Sequence, residues 1–218
     1  MRAYHFVNAK FGLEDLKKRR LKIATIRELN DPFELFGMDM SNDSIRRAFK
    51  VMKEELASER GLLCFSKTWS NPVLWSHYAD KHRGICLGFD VTAEKIGEVS
   101  YSAKRLVADM DKLKYARQFD EKTLIKIFFT KYSHWKYENE VRCFVTLEER
   151  DAEKNLYFVD FSDELKLREV IVGANSTITR LDIQQALDNL QSSVTAFKAR
   201  LAFKTFRVVR QQNETMWI

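Results

Sequence analysis

Apolar residues recur along this chain with two periods, and the change from one period to the other marks the elements. "YHFVNA" (4–9) predicts a first strand, "LEDLKKRR" (13–20) a short helix with Leu13 and Leu16 inward, and "LKIATI" (21–26) a second strand. In "DSIRRAFKVMKEELASER" (43–60), Ile45, Phe49, Met52 and Leu56 repeat at helical spacing, so a helix is expected. "GLLCFS" (61–66) and "GICLGFDV" (84–91) are apolar runs of strand length. Between them, "NPVLWSHYADKH" (71–82) predicts a helix with Asn71 as cap, Pro72 in the first position and Gly84 as a left-handed end. Further along, a strand is expected at 98–106 and a helical region from about 109 to 135. Strands at 138–147, 155–161 and 167–173, a capped helix at 179–190 and one long strand at 196–210 complete the pattern.

"NDPFE" (30–34) carries the same opening signature as the 71–82 segment. Asp31 precedes Pro32, and Glu34 lies three residues after Asp31, which reads as an N-cap, a proline in the first helical position and a capping-box carboxylate. That reading needs no chemistry from these residues. Helices and strands interleave without the strict alternation of a parallel sheet, and several strands carry one polar face. The expected class is α+β, with a mixed, mostly antiparallel sheet and flanking helices.

The 218 residues suffice for one sizeable core, and two prolines and seven glycines leave no linker, so one domain over 1–218 is expected. No apolar run approaches the roughly 20 residues that span a bilayer. The first residues lack the apolar stretch of a secretory signal. A cytoplasmic protein with no membrane partner is the expectation. Cys64, Cys86 and Cys143 stand in apolar contexts and read as buried free thiols. The net charge of +6 suits a polyanionic partner such as nucleic acid or nucleotide phosphates, and suits a lysine-solvated surface equally.

Two stretches concentrate chemistry. On a regular helix Trp75, Tyr78 and His82 fall on one stripe. His77 and His82 are five residues apart and diverge by about 140°, so they do not form a helical metal pair. In "HWKYENEVRCF" (134–144), strand alternation puts Glu138, Glu140 and Arg142 on one face, with Val141 and Cys143 on the other. Tyr132, Trp135, Tyr137 and Phe144 crowd the same segment, and carboxylates beside aromatic surface are where shifted pKa values are found. No GxGxxG, GxxxxGK[ST], GxSxG or HExxH occurs, and no metal is expected.

"NDPFE" (30–34), "CFSKTWSNPVLWSHYADKHRGICLGF" (64–89), "KYSHWKYENEVRC" (131–143) and "LREVIVGAN" (167–175) together resemble a bacterial domain-of-unknown-function family, number twenty-nine seventy-one. A more distant resemblance is to the ADP-ribosyltransferase superfamily. It rests on Tyr4-His5 in a first strand, Ser66 and Tyr78 in a central strand–turn–helix, and Glu138-x-Glu140 in a later strand. This second resemblance implies a mixed sheet with a cleft for NAD as substrate, and ADP-ribose transfer to a nucleic-acid or protein acceptor, or NAD hydrolysis. Toxin or phage-defence settings would suit such a domain. It implies Glu140 as the catalytic carboxylate, with Glu138, and Tyr78 stacking on nicotinamide. It further implies His5 or His77 on a ribose hydroxyl, and Arg142 or Arg83 on a phosphate. Asn30, Ser66, Trp75 and His82 complete the expected NAD site. Two other classes remain open on the residues alone. One is a non-catalytic nucleic-acid or nucleotide module stacking bases on Trp69, Trp75 and Tyr78. The other is a Mg²⁺-dependent nuclease or hydrolase built on Asp31, Glu34, Glu138 and Glu140.

Overall fold

A computed structural model describes residues 1–34, 37–107 and 121–218. Its centre is a nine-stranded sheet. The strands are β1 (Arg2–Val7), β3 (Ala24–Thr25), β4 (Arg60–Ser66), β5 (Ile85–Val91), β6 (Gly97–Glu98), β9 (Glu140–Thr146), β11 (Leu165–Val172), β12 (Thr195–Leu201) and β13 (Val208–Arg210). They run in the order β13-β12-β11-β5-β1-β4-β9-β6, with β3 beside β4. Every pairing in this sheet is antiparallel except β11 with β12, which a crossover helix joins. Two small ribbons lie outside it: β2 (Arg20–Lys22) with β10 (Phe158–Asp160), and β7 (Ser100–Ser102) with β8 (Thr130–Tyr132). The expected α+β class with a mostly antiparallel sheet is what the chain adopts.

Helices α1 (Ala9–Lys18) and α5 (Arg180–Leu187) cover one face. Leu16, Ile183, Ala186 and Leu187 pack there on Ile85, Leu87, Phe89, Val170 and Val172. Helix α3 (Pro72–Tyr78) covers the other face and sets Trp75 and Ala79 against Cys86, Ile171 and Phe197. Helix α2 (Asp43–Glu59) buries Ile45 and Phe49 beside Ile127 of α4 (Glu121–Phe128). Its cap is Asn42, whose side chain accepts from the amides of Ser44 and Ile45. No described helix is long and apolar enough to cross a membrane.

The sheet is split at its middle. Strand β1 meets β4 at a single pair, Tyr4 with Ser66. Beyond that pair β1 continues against β5, and the same edge of β4 is taken up again by β3, at Gly61 and Leu62. The edge of β4 between these contacts faces a gap.

Several expectations need correction. The segment at Pro32 is a turn through Glu34 and does not open a helix: the Asp31 carboxylate accepts from the Phe33 amide, and the Glu34 amide donates to the Asp31 carbonyl. Helix α3 stops at Tyr78, because Asp80, Lys81 and His82 all adopt left-handed φ values of 45°, 54° and 69°. Gly84 is not a left-handed cap, since no described glycine has positive φ. The region expected to be helical from about 109 to 135 lies outside the described residues up to 120. After that it is helix only to Phe128, followed by β8 and a 3-10 turn over Ser133–Glu138. The strand expected at 98–106 is two short strands, β6 and β7, and 21–26 is divided between β2, β3 and a 3-10 turn. The 196–210 segment is a hairpin of β12 and β13, not one strand.

Candidate functional site

The gap between β1 and β4 is a cavity of about 140 Å³. Tyr4, His5 and Phe6 of β1 form one wall, and Cys64, Phe65 and Ser66 of β4 form the other. Leu74 and Tyr78 of α3, with Leu29 and Asn30, close the sides, and Glu34, Lys131, Glu138 and Glu140 form the polar end. The register explains why the sequence motifs meet here. Tyr4 pairs with Ser66 and Ser66 pairs with Glu140, so these three residues form one row across β1, β4 and β9.

Behind the cavity three carboxylates surround two buried cations. The Lys131 ammonium lies 2.5 Å from Glu138, 3.1 Å from Glu140 and 3.6 Å from Glu34. Arg142, 1% exposed, grips Glu140 in bidentate fashion at 2.6 and 2.9 Å. It also reaches Glu34 at 2.7 Å and donates to the Phe128 carbonyl at 2.9 Å. Tyr78 donates a short hydrogen bond to Glu138 and accepts one of 2.8 Å from the Asn30 amide. The Tyr101 hydroxyl accepts from the Glu140 amide at 2.8 Å.

These surroundings separate the two neighbouring carboxylates. Burial pushes Glu138 upward, and Lys131 and the Tyr78 hydroxyl only partly offset this. Glu140 is equally buried, but the charge and hydrogen bonds of Arg142, with Lys131, overcome burial and hold it down at about 2. Two carboxyl groups driven apart in this way can take different acid–base roles at one pH. Burial and the nearby Glu138 push the Tyr78 phenol well up, so it stays a donor. Burial lowers His5; it is neutral, and because the Cys64 carbonyl 3.1 Å away only accepts, the proton is on Nδ1.

Of the residues singled out in the sequence, Glu140, Glu138, Tyr78, His5, Ser66 and Asn30 line this cavity, together with Tyr4 and Glu34. The remaining expected site residues do not. Trp75 is fully buried in the core and donates to the Trp69 carbonyl. His82 folds back over Trp75, ring centroids 6.2 Å apart, because the left-handed turn takes it off the helical stripe. His77 is exposed and touches Tyr78 and Tyr137 at its ring edges. Arg83 pairs with Asp80 on the surface. Arg142 is 1% exposed, is held by Glu140, Glu34 and the Phe128 carbonyl, and does not line the cavity, so it is not open to a phosphate. Glu138 does not share a strand face with Glu140: it ends the 3-10 turn, and Asn139 with φ 46° turns the chain into β9. Asp31 is engaged in its own turn, where it accepts from the Phe33 amide, and it does not line the cavity.

Glu34, grouped with Glu138 and Glu140 in the divalent-ion alternative, does join them, around Lys131 and Arg142; Lys131 itself was missed. Lys131 heads the "KYSHWKYENEVR" stretch, where a lysine preceding three aromatics in seven residues is the one available signal. Its ammonium sits where the carboxylates converge, the position a divalent ion would need. Among the described residues no three His, Cys, Asp or Glu side chains are grouped to hold a metal. A wider open groove of about 1120 Å³, elsewhere on the protein, is lined by none of the predicted site residues.

Fold and site together define an α+β protein with a split antiparallel sheet and a buried charge cluster at the split. A family model described as "Protein of unknown function (DUF2971)" matches residues 74–143, about a third of the chain, and supports the family resemblance. The matched segment contains Tyr78, Lys131, Glu138, Glu140 and Arg142. No curated protein and no solved structure matches the chain.

Proposed function

We propose that the chain is an ADP-ribosyltransferase-like enzyme that cleaves the nicotinamide–ribose bond of NAD in the cavity between β1 and β4. The observation that carries this reading is the row Tyr4–Ser66–Glu140 across three adjacent strands that line one cavity. The cavity also suits the leaving group. Its apolar lining of Phe6, Leu29, Phe65 and Leu74 suits an aromatic ring, and Ser66 and Asn30 suit a carboxamide. Three carboxylates against two cations favour a positively charged ring over a neutral one. At about 140 Å³ it is well below the ~300–1,000 Å³ that encloses a drug-sized ligand, so one ring enters and the rest of the dinucleotide lies across the rim.

In this reading the C1′–N bond breaks and its electron pair goes to the nicotinamide nitrogen, which neutralises the pyridinium. Glu140, held well below the ordinary glutamate value by Arg142 and so ionised at neutral pH, stabilises the positive charge that develops on the ribose. The oxygen of water or of an acceptor attacks C1′, and its proton passes to Glu138. Lys131 and Arg142 hold both carboxylates in place and do not touch substrate.

The test is nicotinamide release from NAD by the wild-type protein. Glu140→Gln is expected to lower it about a hundredfold or more, the order for loss of one preorganised electrostatic group. Ser66→Ala leaves the ion pairs untouched and is expected to raise KM with little change in melting temperature. A folded wild-type protein that releases no nicotinamide contradicts the reading.

A further inference from the structure

The strands of the β12–β13 hairpin bury Phe197, Ala199 and Val208, but the loop between them presents two large rings outward. Phe203 is 91% and Phe206 99% exposed, three residues apart on the connecting loop, with the half-exposed Leu201 at its base. The loop is closed by the Ala202 amide donating to the Arg207 carbonyl at 2.9 Å. Residues 196–210 contain Lys198, Arg200, Lys204, Arg207 and Arg210 and no acidic residue. The Arg200 guanidinium lies over the Phe203 ring at 4.5 Å. Two large rings this open have no role in the core of the chain, and exposed apolar groups rimmed by charge mark a contact surface.

A groove of about 520 Å³ leads away from this hairpin. Tyr4, Lys67, Thr68, Trp69, Arg207 and Arg210 line it. The Arg207 guanidinium donates to Ser70 Oγ at 3.0 Å and the Val208 amide to the Ser70 carbonyl, which fixes the hairpin to the end of β4. Lys67 pairs with Glu98 at 2.9 Å and Arg210 with Glu214 at 3.7 Å, both pairs solvent-exposed and weak enough to exchange for another anion.

We propose that this hairpin and groove bind single-stranded nucleic acid. Unpaired bases stack on exposed aromatic rings without regard to sequence, while a basic groove follows the phosphates. Both parts are present side by side. A duplex keeps its bases stacked internally and cannot use the two rings. A flat membrane can take the tip but not the concave groove behind it, and Lys204 stands between the two rings at the apex. Tyr4 lines both this groove and the cavity between β1 and β4, so a strand held here passes the mouth of the cavity. The binding itself does not depend on NAD chemistry.

The experiment is fluorescence anisotropy of the full chain with a labelled oligothymidylate, its duplex form, heparin as competitor and phosphatidylserine vesicles, all without NAD. Single strands are expected to bind at least about tenfold more tightly than duplex. Phe203→Ala and Phe206→Ala are each expected to weaken single-strand binding by about tenfold, the order of one lost base stack, without lowering the melting temperature. Arg207→Gln is expected to reduce the slope of log K against log salt by about 0.7. Because no NAD is present in this assay, failure here is separate from failure at the cavity. Three outcomes overturn the proposal: no binding, duplex and heparin competing as well as single strands with both phenylalanine variants silent, or phenylalanine-dependent binding to vesicles but not to oligonucleotide.

Discussion

Arg142→Met tests the charge cluster most sharply. The side chain is nearly isosteric along its stem, so the change removes charge and donors more than volume. Glu140 loses its bidentate partner and Glu34 its 2.7 Å contact, leaving Lys131 at 3.1 and 3.6 Å as their remaining ion-pair partner. Removing one member of a buried ion pair costs about 3–5 kcal/mol. The depression of Glu140 from its ordinary value of 4.5 to about 2 leads to the same order, roughly 3 kcal/mol at 1.36 kcal/mol per pH unit. For a chain of this size, 1 kcal/mol moves the melting temperature about 2–4 °C, so a fall of about 6–20 °C is expected at pH 7. The pH dependence fixes the cause. In the wild type the Glu140 pKa is lowered, so its contribution is fully present above the unfolded value near 4.5 and is lost as pH falls toward 2. In the variant the unpaired carboxylate has a raised pKa and protonates on mild acidification. The deficit should therefore shrink between pH 7 and about pH 4. Differential scanning calorimetry at both pH values measures this. A fall under about 3 °C, or a deficit that does not change with pH, would refute the cluster as described.

Two further outcomes follow from the same geometry. Gly84→Ala and Gly84→Asn should both destabilise strongly, because a Cβ there would collide with the Val7 carbonyl oxygen; were Gly84 needed only for positive φ, Asn would be tolerated, and chemical denaturation distinguishes the two. If Glu138 accepts the proton, nicotinamide release should fall on the acid side with a midpoint above the ordinary glutamate value of 4.5, because burial raises Glu138. A midpoint below 4.5 in the pH–rate profile would count against Glu138 and move the role to another group.

Local signals sufficed where a local cause fixes the structure. Helix α2 follows from its apolar spacing, and the apolar runs at β4 and β5 follow from their near-complete burial. They failed where a distant partner decides. "NDPFE" has the letters of a helix opening, but a turn uses Asp31 in the same way, and Glu34 is held by Arg142 more than a hundred residues later. The aromatic stripe of α3 fitted a longer helix, and only the left-handed run at 80–82 shows that His82 stacks back on Trp75. Period-two alternation continues through a hairpin loop as readily as along a strand, so 196–210 read as one element. Glu138, Glu140 and Arg142 were grouped correctly, though strand alternation places only the latter two on one face. Lys131 escaped notice because a lysine is read as surface unless its partners are seen: Glu34 is brought in only by the fold, and Glu138 and Glu140, though close in sequence, turn back onto it only through the 3-10 turn.

The most direct measurement is a crystal structure of the protein with NAD or its products. The account predicts a nicotinamide ring in the gap between β1 and β4, against Tyr78, with the ribose beside Glu140 and Ser66. A dinucleotide bound elsewhere, with that gap unchanged, would contradict it.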